Sequence, residues 1–331
     1  MATLSHDLTI EILRGLSVKD LLRFKCVSKL WCFSIDDPYF IKLHLSHSVK
    51  TNTNYSLILR RWGPIKILGS CNGLLALIDD KDRIFLWNPS TRKSQVLPST
   101  EIDFSSTSIS SAPSTYYGFG YEPISDDYKL VRMVQSHGNN DEYFHSEAKV
   151  YSLRSNCWRR IKDVCFYLKF NREFGFLANN ALHWMVFKTP QSDNRNLVGF
   201  DLGSEEFRFV ELPDFCLDKL FWEINNVVVD VWIMKEYGVK QSWIKSISWN
   251  EPHNISDTPV AVPLAFSKNG NKVLFNIAYK WCNLVKRGGK FVWYDLGSRR
   301  VENVGIRDIP TSFDVELYVD SLVPLNSNAP Q

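Results

Sequence analysis

Leu4-Ser-His-Asp-Leu-Thr-Ile-Glu-Ile-Leu-Arg-Gly-Leu-Ser-Val-Lys-Asp-Leu-Leu-Arg-Phe-Lys-Cys-Val-Ser-Lys-Leu-Trp31 decides how the rest of the chain is read. Its spacing predicts a compact unit of short helices. Ser5 is placed to cap a first helix with Leu8, Ile12 and Leu13 on one face, and Gly15 to end it. Ser17, with Asp20 three residues on, marks a second start that carries Leu21, Leu22, Phe24 and Val27. Ser28 opens a third helix with Leu30 and Trp31. Units below about 40 residues rarely bury enough apolar surface to stand alone. This one therefore has apolar side chains to spare for a partner.

Asp37-Pro38, an N-cap followed by proline at the first helical position, starts a further helix running to about Leu45. A polar stretch from Ser46 leads into a first strand at Tyr55–Leu59. From Ile65 onward the pattern changes to short apolar strands separated by turn residues, such as Asn72-Gly73. The unit recurs: Ile84 to Pro98, Lys149 to Ile161, Leu197 to Pro213, Val229 to Ile247 and Phe291 to Val304 each read as apolar strand, polar turn, strand. Such hairpins bury their faces only by stacking on neighbours. The spacing, typically about 50 residues, fits kelch-like propeller blades, five or six in all. The expected fold is α+β and multidomain: a small N-terminal all-α unit of three to four short helices, then a mainly antiparallel all-β, propeller-like domain. The expected boundaries are 1–45 for the helices, 46–64 for the linker and first strand, 65–325 for the β domain and 326–331 for a flexible tail.

Composition agrees. Of 331 residues, 44% are hydrophobic and 14% aromatic, including 11 Trp, which suits half-buried sheet surfaces. The net charge of +3 is too small to point to nucleic acid. Seven cysteines without a C-x-x-C pair fit a reduced compartment. No leader with a basic start and an apolar run precedes the helices, and no apolar stretch reaches membrane-spanning length. The expectation is a cytoplasmic protein, with the nucleus as second compartment, and no membrane partner.

The N-terminal stretch resembles the F-box, the motif that attaches substrate receptors to the helical adaptor of SCF-type ubiquitin ligases. The match runs through Leu4, Asp7-Leu8, Glu11-Ile12-Leu13, Leu16, Leu21-Leu22-Arg23-Phe24, Cys26-Val27-Ser28-Lys29 and Trp31 to Asp37-Pro38 and Leu43-His44-Leu45. Ser5 and Ser17 stand where the family carries proline. The β region is similar to the plant F-box-associated domain at Gly69-Ser-Cys-Asn-Gly-Leu-Leu, Trp87-Asn-Pro-Ser-Thr-Arg-Lys, Tyr117-Gly-Phe-Gly-Tyr and Phe200-Asp-Leu-Gly-Ser-Glu-Glu-Phe, nearest in pattern to the pollen S-locus F-box subgroup. It departs from that pattern at Leu217 to Val228. The resemblance implies an adaptor-binding set of Leu4, Leu8, Ile12, Leu13, Leu16, Leu21, Leu22, Phe24, Val27 and Trp31. It implies a Skp-type adaptor and, through it, cullin and RING subunits as partners. It also implies a protein target, in the S-locus subgroup a style S-ribonuclease, sent for ubiquitination and degradation. No cofactor, metal or catalytic residue is implied. Target contacts are expected in loops on the sheet scaffold, around Ser105, Asn139 and Asn194.

A second reading, a propeller-type enzyme or a non-ligase interaction module with decorative helices, needs convergent reactive groups. Cys71 lies in Gly-Ser-Cys-Asn-Gly, where turn chemistry accounts for the glycines. His44 and His47 lack further ligands nearby in sequence. Asp126, Asp127, Asp201, Asp230 and Asp295 sit mostly at turns, where aspartate is ordinary. Gly118-Phe-Gly120 lacks the third glycine of a dinucleotide loop. The Ser- and Thr-rich insert Ser99 to Thr115 is expected to be a mobile loop.

Overall fold

The computed structural model describes residues 5–61, 63–103, 113–137, 144–168, 174–192, 194–213, 226–252, 257–281, 285–306 and 313–325. Leu4, Ser105, Asn139, residues 217–225 and the tail 326–331 lie outside them.

Four helices open the chain: α1 (His6–Arg14), α2 (Val18–Phe24), α3 (Lys29–Asp36) and α4 (Pro38–Lys50). Each starts as its sequence dictates. The hydroxyls of Ser5, Ser17 and Ser28 accept the backbone N–H of Leu8, Asp20 and Trp31 at 3.3, 3.2 and 3.1 Å, and the Asp37 carboxylate accepts that of Tyr39 at 3.2 Å. Ser5 and Ser17 hold φ of −63° and −67°, the value a proline ring would impose. The chain keeps the backbone course of a proline start and adds two side-chain caps. Helix α4 continues to Lys50, past the expected end at Leu45.

Among the described residues, twenty strands follow, in six sheets. Four have four antiparallel strands: β2 (Lys66–Cys71) to β5 (Lys93–Val96), with β3 (Leu74–Ile78) and β4 (Ile84–Asn88) between; β6 (Ser114–Glu122), β7 (Asp127–His137), β8 (Phe144–Ser152) and β9 (Cys157–Arg160); β10 (Phe176–Ala178), β11 (Ala181–Phe187), β12 (Arg195–Asp201) and β13 (Phe207–Val210); and β16 (Asp257–Phe266), β17 (Lys272–Trp281), β18 (Val285–Asp295) and β19 (Val301–Val304). Two have two strands: β14 (Asn226–Met234) with β15 (Trp243–Pro252), and β1 (Tyr55–Arg61) with β20 (Phe313–Val319). The last pair joins the two ends of the β region, from Tyr55↔Val319 to Arg61↔Phe313, and so closes the ring.

The recurring turns share one construction. A polar side chain at position i accepts the N–H groups of i+2 and i+3, and residue i+4 turns into positive φ. Asp201 accepts from Gly203 (2.9 Å) and Ser204 (2.7 Å), with Glu205 at φ 56°. Asp295 accepts from Gly297 (3.1 Å) and Ser298 (2.8 Å), with Arg299 at 55°. Asn88 and Glu122 do the same before Arg92 and Asp126, at 59° and 54°. Intrinsic backbone preference would put glycine at such positions. The anchored side chain holds the loop in place of that freedom.

The helices are not an appendage. Leu13, Leu21, Ile35, Phe40 and Ile41 belong to one buried cluster with Leu68, Leu74, Leu86, Phe119, Tyr151, Leu322 and Val323 of the sheets. Each such side chain contributes roughly 1.5–3 kcal/mol by leaving water. Polar contacts fix the orientation. Lys42 pairs with Asp126 at 2.6 Å, Asn52 donates to the Phe266 carbonyl at 2.7 Å, and Asp320 donates its N–H to the Asn54 carbonyl at 2.7 Å. Inside the helical unit, the buried His44 ring Nε2 lies 2.8 Å from the Leu16 carbonyl, which ties α4 to the end of α1. Nδ1 has no partner, so the bonded ring is the neutral Nε2–H form.

These contacts orient the β domain. Strands β2, β6, β16 and β20 all end beside the helices, and antiparallel order puts the β2–β3, β4–β5, β6–β7 and β8–β9 turns there too. The β3–β4, β7–β8, β11–β12 and β17–β18 connections leave from the opposite ends of the strands.

Two predictions follow from this packing. Gly73 has φ +85°, and a Cβ there would overlap Ser321 Oγ and lie 2.6 Å from the Val319 carbonyl oxygen. Gly73→Ala is expected to cost about 2–4 kcal/mol in thermal unfolding, against about 1 kcal/mol for Gly270→Ala, whose φ is +73° with nothing within 4 Å. Burial lowers the His44 pKa from 6.5, and burial does the same at His183. The unfolded chain therefore takes up protons first, and stability falls as pH drops through 6.5 towards the lower folded values. His44→Gln is expected to keep a donor for Leu16 and to flatten part of that fall, as read from denaturation midpoints between about pH 7.5 and 5.

Candidate adaptor and target surfaces

The helical unit presents apolar side chains to solvent on the parts that do not pack against the sheets. Leu8 and Ile12, one turn apart on α1, are 58% and 52% exposed. Val27, between α2 and α3, and Leu30 are 58% and 59% exposed, and Phe33 is 74% exposed. Leu30 and Phe33 are three apart on α3 and share a face. Exposed apolar side chains that share a helix face in this way are candidates for an interaction surface. Charge pairs flank them: Arg14 with Glu11 at 2.7 Å, and Lys25 with Asp36.

The structure divides nine of the ten residues expected to meet an adaptor, Leu4 lying outside the described residues. Leu8, Ile12 and Val27 face solvent. Leu13 and Leu21 are fully buried and hold the helices together. Leu16, Leu22, Phe24 and Trp31 are half-buried against the shared core, with the Phe24 and Trp31 rings edge to face at 5.6 Å. Leu30 and Phe33 join the exposed set. Their signal was present in the sequence as Val27, Leu30 and Phe33 at a spacing of three.

On the far side of the β domain, Asn194 is exposed in the connection between β11 and β12. The insert after Ser99 is not loose where it begins. Arg132 donates to the Thr100 carbonyl at 3.0 Å, Lys149 to the Glu101 carbonyl at 2.8 Å, and Asp103 N–H to the Glu147 carboxylate at 2.6 Å. Thr100 to Asp103 is thus pinned across the β6–β9 sheet.

The residues weighed for chemistry are occupied structurally. Burial pushes the Cys71 thiol up to about 12, so it stays protonated at neutral pH. His183 Nε2 lies 2.7 Å from the Tyr237 hydroxyl and links β11 to the β14–β15 hairpin. Asp126 is bonded to Lys42 and Tyr121, and Asp127 to the Ser152 hydroxyl and the Arg154 N–H. Asp230 pairs with Lys245 at 2.7 Å, while Asp201 and Asp295 anchor turns. Among the described residues, no three His, Cys, Asp or Glu side chains are grouped to hold a metal ion. Nor, among these residues, is any helix long and apolar enough to cross a membrane.

Comparison with known proteins gives the same two-part division. Residues 2–43 match the F-box domain, and residues 24–326 match the F-box associated beta propeller domain. The second match begins inside the helical unit. F-box protein CPR1 of Arabidopsis thaliana is 34% identical, with 98% of this chain and 89% of that protein covered. F-box protein At4g22390 of the same plant is 28% identical, with 98% and 90% covered. F-box/kelch-repeat protein At3g23880, also from Arabidopsis thaliana, is 28% identical over 73% of this chain and 79% of its own length. The chain belongs to the plant F-box proteins that carry an F-box-associated β-propeller domain.

Proposed function

We propose that this protein is a non-catalytic substrate receptor of an SCF-type ubiquitin ligase, with its exposed helical face on a Skp-type adaptor and the far side of its propeller on the target. The observation that carries the reading is the pairing of Leu8, Ile12, Val27, Leu30 and Phe33 in solvent with helices otherwise welded into the propeller core. A helical unit with a purely structural role would bury its apolar residues. This one spends part of them on the sheets and leaves the rest for a partner.

The chemistry asked of the chain is positional. Holding a target beside a conjugating enzyme carried by cullin and RING subunits raises the effective concentration of its lysines, without any reacting group here. Target recognition is assigned to the face opposite the helices, where the connections that include Asn194, and in sequence Ser105 and Asn139, leave the sheets. The finer expectation, a style S-ribonuclease as target, rests on the S-locus resemblance of the propeller alone. The Arabidopsis relatives bear F-box and kelch names. A pull-down across a panel of such ribonucleases tests it, and no binding removes it. The reading places the protein in the cytoplasm or nucleus, where the ligase works.

Ile12→Asp and Phe33→Asp are expected to reduce co-purification with the adaptor at least about tenfold while leaving thermal stability within about 1 kcal/mol, because both side chains are already exposed. Ile124→Asp, at a residue 93% exposed on a propeller turn, is expected to leave adaptor binding unchanged. Equal adaptor recovery from all three variants would remove the proposed docking face.

A further inference from the structure

Among the described strands, the closing sheet is two strands narrower than the sheets on either side of it. Strand β20 lies inside, and β1 pairs with β20 alone among the described strands. Its neighbours on both flanks, β2–β5 and β16–β19, have four strands each. The second edge of β1 is therefore recessed between two walls. At about 4.8 Å per strand, the walls reach roughly 10 Å beyond it.

Close to β1 both walls are mainly apolar, with Glu302 beyond Trp293 on one of them. On one side Phe85, Trp87 and Ile58 of β1 pack against the same cluster of Ile67, Leu75 and Leu77, and the outer cross-strand partners of Phe85 and Trp87 are Val96 and Ser94. Val96 is 66% exposed. On the other side Trp293, Val304 and, from β1, Leu57 and Leu59 pack against the same cluster of Leu274, Phe291 and Phe313. Phe85, Trp87, Trp293 and Val304 are only half-buried, and so are the five central residues of β1. Exposed Arg61 stands at the far end of the edge.

We propose that this slot takes one extended strand of a protein partner, added to the free edge of β1. Along Tyr55 to Leu59 the edge offers main-chain donors and acceptors that only an extended backbone matches. The recess admits a single segment and rejects the edge of a second folded copy, whose own walls would collide with these. The incoming strand meets apolar walls on both sides, so it carries β-branched or apolar side chains on both faces. An acidic residue at the end beside Arg61 complements the charge. That the strand belongs to a ubiquitination target rests on the receptor reading. That the edge takes an extended strand does not.

The test uses the full chain and a labelled synthetic peptide of about nine residues, two aspartates followed by alternating valine and threonine. Fluorescence anisotropy is expected to show saturable binding with Kd below about 1 mM. Methylating the peptide nitrogens along one edge of the strand is expected to cost at least about tenfold, and methylating the other edge little. Val96→Asp is expected to weaken binding about tenfold, and Arg61→Glu about threefold with a weaker salt dependence. Absence of saturable binding overturns the proposal. So does unchanged affinity for Val96→Asp, or equal binding of both methylated peptides and the parent. Adaptor co-purification of Val96→Asp and Arg61→Glu is expected to match the parent chain. Peptide binding by a chain that does not recover adaptor would refute the receptor reading and leave the slot standing.

Discussion

The pairing of β1 with β20 is the constraint on which the rest depends. A ring of sheets has no stable half-way form, because each sheet hides its faces only when both neighbours are present. Here the ring is shut by a strand that follows the helices directly and a strand from the end of the β region. The register from Tyr55↔Val319 to Arg61↔Phe313 also fixes where α4 sits, since only a few residues separate Lys50 from Tyr55. Propeller closure and helix placement are one event. Leu322, Val323 and Leu325, just beyond β20, then fill the space beneath the helices.

Much of this was legible in the sequence. The serine and aspartate caps, the helix order and the strand-turn-strand recurrence follow from local rules, and local rules decide caps and tight turns. Asp201 and Asp295 read as turn residues and act as such. The parts that were not legible depend on long-range packing. Periodicity puts Leu13 and Leu8 on one face of α1, yet Leu13 is fully buried and Leu8 is not. The difference is set by α4 and the sheets, which arrive later in the chain. Phe33 was missed for the complementary reason. An aromatic residue in a short helix reads as core until its neighbours are known. The reach of α4 to Lys50 was hidden by the polar run from Ser46, although Ser48 is buried and receives the Asn54 side chain at 2.8 Å. The unequal width of the sheets could not be read from similar-looking hairpins, because which strands join one sheet is a matter of pairing.

Turn construction explains how irregular spacing coexists with a regular ring. The anchor at i and the positive φ at i+4 recur at Asn88, Glu122, Asp201 and Asp295, so an amide and carboxylates of two lengths serve alike. The fold asks for an acceptor at one place and tolerates the remainder. Longer connections such as β7–β8 and β11–β12 leave from the opposite ends of the strands, away from the side that meets the helices.

Lys42 on Asp126, Asn52 on Phe266 and the common core leave no joint between the helices and the propeller. The protein behaves as a fixed bracket rather than a tether. A bracket presents its cargo at one height and one angle to whatever is bolted to its base. On the proposed receptor function, which lysines of a bound protein come within range is then set by the cargo's own shape and seating, so that geometry filters modification a second time after binding has done so.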